Sequence, residues 1–131
     1  MAPKAFEGAY RRPTELEKDF LRVATRGYPL LENQIEDCEI ADYDPTGWCY
    51  VRVLEGMPFS ARPAQGPKLR MDDPAMTFVE LLLWTNEAEM LECVEVVEYG
   101  SGGFSEPPYR VFVDASSNVG GRLEYNAEII G

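Results

Sequence analysis

The stretch "EMLECVEVVEYG" carries four glutamates in ten residues, Glu89, Glu92, Glu95 and Glu98, spaced by three. A strand repeats every two residues, so carboxylates at this spacing cannot all point to one face. The preceding "MTFVELLLWT" is the most apolar run nearby, and Asn86-Glu87-Ala88-Glu89 reads as the turn of a hairpin between them. An even-numbered loop pairs Thr85 with Met90, Leu83 with Glu92, Leu81 with Val94 and Val79 with Val96, a face suited to packing under a helix. The other face pairs Trp84 with Leu91, Leu82 with Cys93, Glu80 with Glu95 and Phe78 with Val97. This register sets Glu80 and Glu95 side by side and leaves Glu92 and Glu98 solvated at the margins.

Two like charges directly opposite each other are unfavourable unless something offsets them. A shared proton with one raised pKa would do so. So would an arginine of the same chain (Arg52, Arg110 or Arg122), a metal, or a basic group of a partner. A carboxylate pair is also the hardware of glycoside hydrolysis, but no substrate motif accompanies this one. The chain contains no GxGxxG, GxxxxGK[ST] or GxSxG, and "DYDPTGW" lacks the later glutamate of a calcium loop. It has no histidine, and Cys38, Cys49 and Cys93 form no CxxC pair. Zinc or a Cys–His nucleophile would therefore need unusual ligands or bases. The cysteines read as small buried apolar residues in a reducing compartment. No catalytic residue, metal or cofactor is expected.

The formal net charge is −11, unevenly distributed. Residues 1–26 hold six basic groups against four acidic ones, whereas Glu32 to Asp44 holds six carboxylates and Asp72 to Glu98 eight, both without Lys or Arg. Phosphate binding needs the opposite sign, which argues against a nucleic-acid ligand. A basic protein partner fits, because complementary fields speed encounter. No apolar run approaches the ~20 residues of a membrane span, and the start has no signal-peptide core. The chain of 131 residues reads as one cytoplasmic domain with a flexible arm over residues 1–12.

The elements that would position these groups begin with a helix. Thr14 and Glu17 make a capping-box pattern, Leu16, Phe20, Val23 and Ala24 an apolar stripe, and Gly27 and Pro29 a stop. A short helix over 30–36 follows. "CEIADYDPTGWCYVRV" reads as a hairpin turning at Asp44-Pro45-Thr46-Gly47. It pairs Tyr43 with Trp48, Ala41 with Tyr50 and Glu39 with Arg52, and its other face (Cys38, Ile40, Cys49, Val51, Val53) is core. Residues 55–75, with four prolines and two glycines, read as a long irregular loop with at most an edge strand. "RVFVDA" and "RLEYNAEII" are further strands about an "SSNVGG" turn. The fold class is α+β, one or two N-terminal helices on an antiparallel sheet of four to six strands.

If both hairpins share one sheet, one face combines Trp48, Tyr50, Trp84 and Phe78 with Glu39, Glu80 and Glu95. Aromatic anchors ringed by charge are the usual composition of a protein-binding surface. With Asp42 and Asp44 nearby, Glu39, Asp42, Asp44, Trp48, Tyr50, Glu80, Trp84 and Glu95 are the candidate contact residues. Two alternatives stand beside this: the long loop or the C-terminal segment covers the face as a second small core, or the face around Glu80, Glu95 and Trp84 binds a small regulatory molecule.

The order of a capped helix, the "LENQI" segment, a hairpin, the strand "FVELLLWT" and a turn into "LECVEV" resembles a group of small bacterial immunity proteins, over roughly residues 13–108. These are cytoplasmic antidotes carried beside polymorphic or contact-dependent toxins. The resemblance implies inhibition by binding without catalysis. An acidic, aromatic face would suit a basic toxin domain, such as a nuclease whose phosphate-binding cleft attracts carboxylates.

Overall fold

Thr14 starts the first helix as its sequence requires. Its side chain accepts from the Glu17 N–H (3.2 Å), and the Glu17 carboxylate accepts from the Thr14 N–H (2.8 Å), so both halves of the capping box form. The computed structural model describes residues 2–42, 48–73, 76–100 and 127–129. It shows β1 (Tyr10–Arg11), α1 (Glu15–Ala24), α2 (Pro29–Glu32), a 3-10 turn (Ile35–Asp37), β2 (Glu39–Ala41), β3 (Trp48–Arg52), β4 (Arg62–Asp73), β5 (Met76–Thr85), β6 (Leu91–Gly100) and β7 (Ala127–Ile129). The helices follow β1, precede the other strands and cover an antiparallel sheet, the expected α+β class. Counting the two-residue β1, the sheet has seven strands in the order β1-β2-β3-β6-β5-β4-β7.

The main core lies between the helices and one sheet face. Phe20, Leu21, Val23 and Ala24 of α1, with Leu31 and Ile35, pack on Cys38, Ile40, Cys49, Val51, Leu81, Leu83, Leu91, Val94 and Val96. Leu21 is fully buried beside the expected stripe, whereas Leu16 is only half-buried. Gln34 fastens the helical segment to the sheet like an extra strand residue. Its Nε2 donates to the Glu89 carbonyl and its Oε1 accepts from the Leu91 N–H, both at 2.9 Å.

The first hairpin keeps the expected register, with Glu39 opposite Arg52 and Ile40 opposite Val51. Its turn, Asp44 included, lies outside the described residues. The second hairpin slips by two: Leu82 faces Glu95, Glu80 faces Val97 and Trp84 faces Cys93, so Glu80 and Glu95 are not opposite each other. The connection is one residue longer than expected, with Asn86 N–H bonded to the Met90 carbonyl and Glu89 in the left-handed region (φ 61°). The second residue of slip is a bulge, because Trp84 faces Cys93 while Thr85 faces Leu91 and leaves Glu92 extra. From Cys93 onward the slip of two preserves which face each side chain occupies, whereas before the bulge the slip is one and Leu91, expected opposite Trp84, turns into the helix-side core.

Residues 62–73, expected to be mainly loop, form the twelve-residue β4 between β5 and β7. The prolines are accommodated by position. Pro63 lies beyond the stretch that β7 pairs (Leu69 to Met71), and Pro67 lies in the irregularity between Gln65 and Lys68. Gly66 in the same irregularity lets the backbones close in, since a Cβ there would stand 2.5 Å from the Leu81 carbonyl oxygen. The Tyr28 hydroxyl donates to the neighbouring Gln65 carbonyl. Of the two C-terminal strands expected, Ala127–Ile129 is seen as β7, while "RVFVDA" and "SSNVGG" lie outside the described residues.

Candidate functional site

The second sheet face carries the aromatic residues that the sequence singled out. Ala41, Tyr50, Trp84 and Cys93 form a small buried cluster, with Phe6, Tyr10, Trp48, Phe59 and Ala61 packed around it. The face is thus covered over part of its area. The N-terminal segment expected as a free arm docks here: Tyr10 and Arg11 pair with Ala41 and Ile40 of β2, and Phe6 stacks on Tyr50 (5.0 Å between ring centres) and meets Tyr10 edge-on (5.2 Å). Tyr50 is therefore a buried residue beneath Phe6 rather than part of an outer contact surface.

Arg11 explains why the segment sits where it does. Its two terminal nitrogens donate to both carboxylate oxygens of Glu17, each at 2.7 Å, and its Nε donates to Asp42 at 2.8 Å. Burial pushes the Glu17 carboxyl up, but the Arg11 guanidinium and the Thr14 N–H outweigh it and hold it below the usual range. Asp42 is thereby occupied within the chain. Glu39 likewise accepts from Arg52 at 2.8 and 3.0 Å, the cross-strand pair anticipated from the sequence. Arg52 also lies over the Tyr10 ring (4.5 Å). On the helix side, Lys18 and Arg22 engage Glu15, Asp19 and Glu36. Among the described residues, Glu15, Glu17, Asp19, Glu36, Glu39 and Asp42 of the first half all form ion pairs within the chain.

Glu95 is different. It sits half-buried in the middle of β6, opposite Leu82 on one side and Trp48 on the other. Its Oε1 accepts from the Trp84 indole N–H at 3.3 Å, and among the described residues no Lys or Arg forms an ion pair with it. Trp48 and Trp84 approach at 6.4 Å in a tilted arrangement. Leu82, Val97 and Glu80 extend the same face, all half-buried, and Glu80 accepts from Gln65 at 3.1 Å. Trp48, Glu80 and Glu95 thus come together as one half-buried patch, with Trp84 buried beneath it. Glu39, Asp42 and Tyr50 are drawn into internal contacts elsewhere. Phe78, named with this face, has no described side chain.

Glu92, expected at a solvated margin, is buried and functions as an anchor. The bulge places its carboxylate against the 59–61 backbone, where Ser60 and Ala61 donate to separate oxygens, both at 2.9 Å. The hint in the sequence was its position two residues past the turn. The three cysteines are buried thiols, as expected. Burial raises Cys38 to about 11 and raises Cys49 as well, so neither is a thiolate at neutral pH. Among the described residues no three His, Cys, Asp or Glu side chains gather as a metal site, and no helix is long and apolar enough to cross a membrane. No family model, curated protein or solved structure matches the chain.

Proposed function

We propose that this chain is a non-enzymatic, cytoplasmic binding protein of the immunity type, which neutralises a basic toxin domain through the patch of Trp48, Glu80 and Glu95, with the buried Trp84 positioning Glu95 from beneath. The observation that carries the reading is the Glu95 carboxylate. It is positioned by an indole N–H, flanked by Trp48 and Leu82, and paired with no described cation. Part of its hydration is already lost and its orientation is fixed, so a partner's Lys or Arg meets a carboxylate held in place. The half-exposed Trp48, Leu82 and Val97 supply apolar area around it, the pattern of a charged anchor within an apolar ring. The acidic balance of the chain suits the same class of partner.

The test is co-purification on the tagged chain from its native cell, at low salt and at about 0.5 M, where exposed charges are heavily screened. Support is a basic protein retained at near-equal stoichiometry, weakened by salt, lost with Glu95→Gln and Trp48→Ala, and inhibited when the wild-type chain is added back. Retention that ignores both substitutions, or a captured protein whose activity the chain leaves unchanged, overturns the reading.

A further inference from the structure

Away from the Trp48–Glu95 patch, a cleft of about 300 Å³ opens between the N-terminal segment, the end of β3, the 54–59 loop and the start of β6. The volume lies at the lower end for small-molecule sites. Phe6, Tyr10 and Phe59 supply aromatic walls, Val51, Val53 and Leu91 an aliphatic floor, and Asn86 and Glu92 polar groups. Both polar side chains are more than nine-tenths buried. They are also fixed. Asn86 Oδ1 accepts from the Ala88 and Met90 N–H groups at 2.9 and 3.0 Å, which orients its amide. The Ser60 and Ala61 N–H groups hold Glu92.

The cleft is lined by one cation and one anion, Arg52 and Glu92, which are not paired with each other. Arg52 lines it but is engaged by Glu39 and stacked on Tyr10. Glu92 pairs with no Lys or Arg among the described residues. A carboxylate offers about four lone-pair positions, and the two N–H groups use two. A buried carboxylate with acceptor capacity left, set among aromatic rings, is the environment that stabilises an organic cation through charge, hydrogen bonding and cation–π attraction.

We propose that this cleft is a binding site for a small organic amine, its ammonium group donating to Glu92 and its apolar or aromatic body lying between Phe6, Tyr10 and Phe59. The site shares no residue with the Trp48–Glu95 patch, so its failure and the failure of the binding-protein reading are separable. An anion would face Glu92 directly, and a neutral molecule of the same shape would forgo the charge term.

The experiment is an amide NMR titration of the whole chain with phenethylamine, phenethyl alcohol and hydrocinnamate, following Ser60 and Ala61. The expected result is saturable shifts with the amine, affinity about tenfold weaker for the alcohol, and no saturable shift with the acid. Ala5→Trp, at an exposed position on the rim, blocks the cleft without touching Glu92 and removes the response. Glu92→Gln, where folded, abolishes the preference for the amine over the alcohol. Equal affinity for amine and alcohol, a response unchanged by Ala5→Trp, or no saturable shift up to about 10 mM amine overturns the proposal.

Discussion

Glu92 accepts a hydrogen bond from the Ala61 N–H at 2.9 Å, although 31 residues of chain separate the two. With the Ser60 N–H on its other oxygen, one side chain satisfies two successive backbone donors. Ala61 has a positive φ of 51°, uncommon for a residue with a Cβ, and the carboxylate rewards that conformation.

Glu92→Ala should therefore cost about 2 kcal/mol, the penalty for stranding partly buried N–H donors. Urea unfolding measures the loss. Hydrogen exchange at Ser60 and Ala61 should accelerate more than exchange in β5, which separates local release from global destabilisation. Uniform acceleration would count against the anchoring role.

Glu17 joins two jobs, capping α1 and holding Arg11, and it is fully buried. Glu17→Ala should cost about 3 kcal/mol, because it removes a cap and leaves Arg11 without its closest counter-ion. Arg11→Ala leaves a buried carboxylate behind and should also destabilise. The double substitution should cost less than the sum of the two singles, a coupling that a double-mutant cycle in urea reads directly.

The lowered Glu17 carboxyl sets a pH dependence of definite sign. A carboxyl held lower in the folded state contributes stability that is fully present above its unfolded value of about 4.3 and is lost as pH falls through the folded value. Glu36, held low first by its hydrogen bond to Arg22, acts in the same direction. The urea midpoint should be level between about pH 7 and 5.5 and fall below about 4.5. Glu17→Gln should flatten that fall, and an unchanged slope would remove Glu17 from the account.

Gly66→Ala should destabilise by about 2 kcal/mol, in the range for overpacking a close contact. A Cβ would meet the Leu81 carbonyl at 2.5 Å, and backbone cannot swing aside as a side-chain tip can. Gly56→Ala is a different case. Nothing stands within 4 Å of its Cβ position, and its cost arises from φ 84° alone. Thermal unfolding of the two variants side by side distinguishes the mechanisms, since only Gly66→Ala should disturb the amide shifts of β5.

What the sequence disclosed was mostly local. Thr14 and Glu17 are three residues apart, and Glu39 and Arg52 are related by one short hairpin; both pairs could be read from spacing. The faces of β5 and of β6 from Cys93 onward were also legible, because alternation survives a slip of two, but Leu91 and Glu92 at the bulge were misplaced. The register itself was not. It depends on Glu89 adopting a left-handed conformation and on the bulge at Glu92, and neither residue type announces this. Pro63, Gly66 and Pro67 disguised β4 as a loop. A cover over the Tyr50 face was anticipated from the long loop, whose Phe59 and Ala61 do pack there, but the part played by Phe6 was not, because it lies 44 residues from Tyr50 and nothing in "KAFEGAY" marks where it docks.

The strand order also has a history in time. β3 pairs with β6 rather than with the strand that follows it, and Trp48 and Glu95 are 47 residues apart. As the chain leaves the ribosome at roughly 5–20 residues per second, the open edge of β3 waits several seconds for its neighbour. Throughout that interval Cys49 and Val51 have α1 above them and β2 along one edge of their strand, but nothing along the other. A nascent chain stalled in this window would be the species that chaperones meet, and the patch around Glu95 would not yet exist.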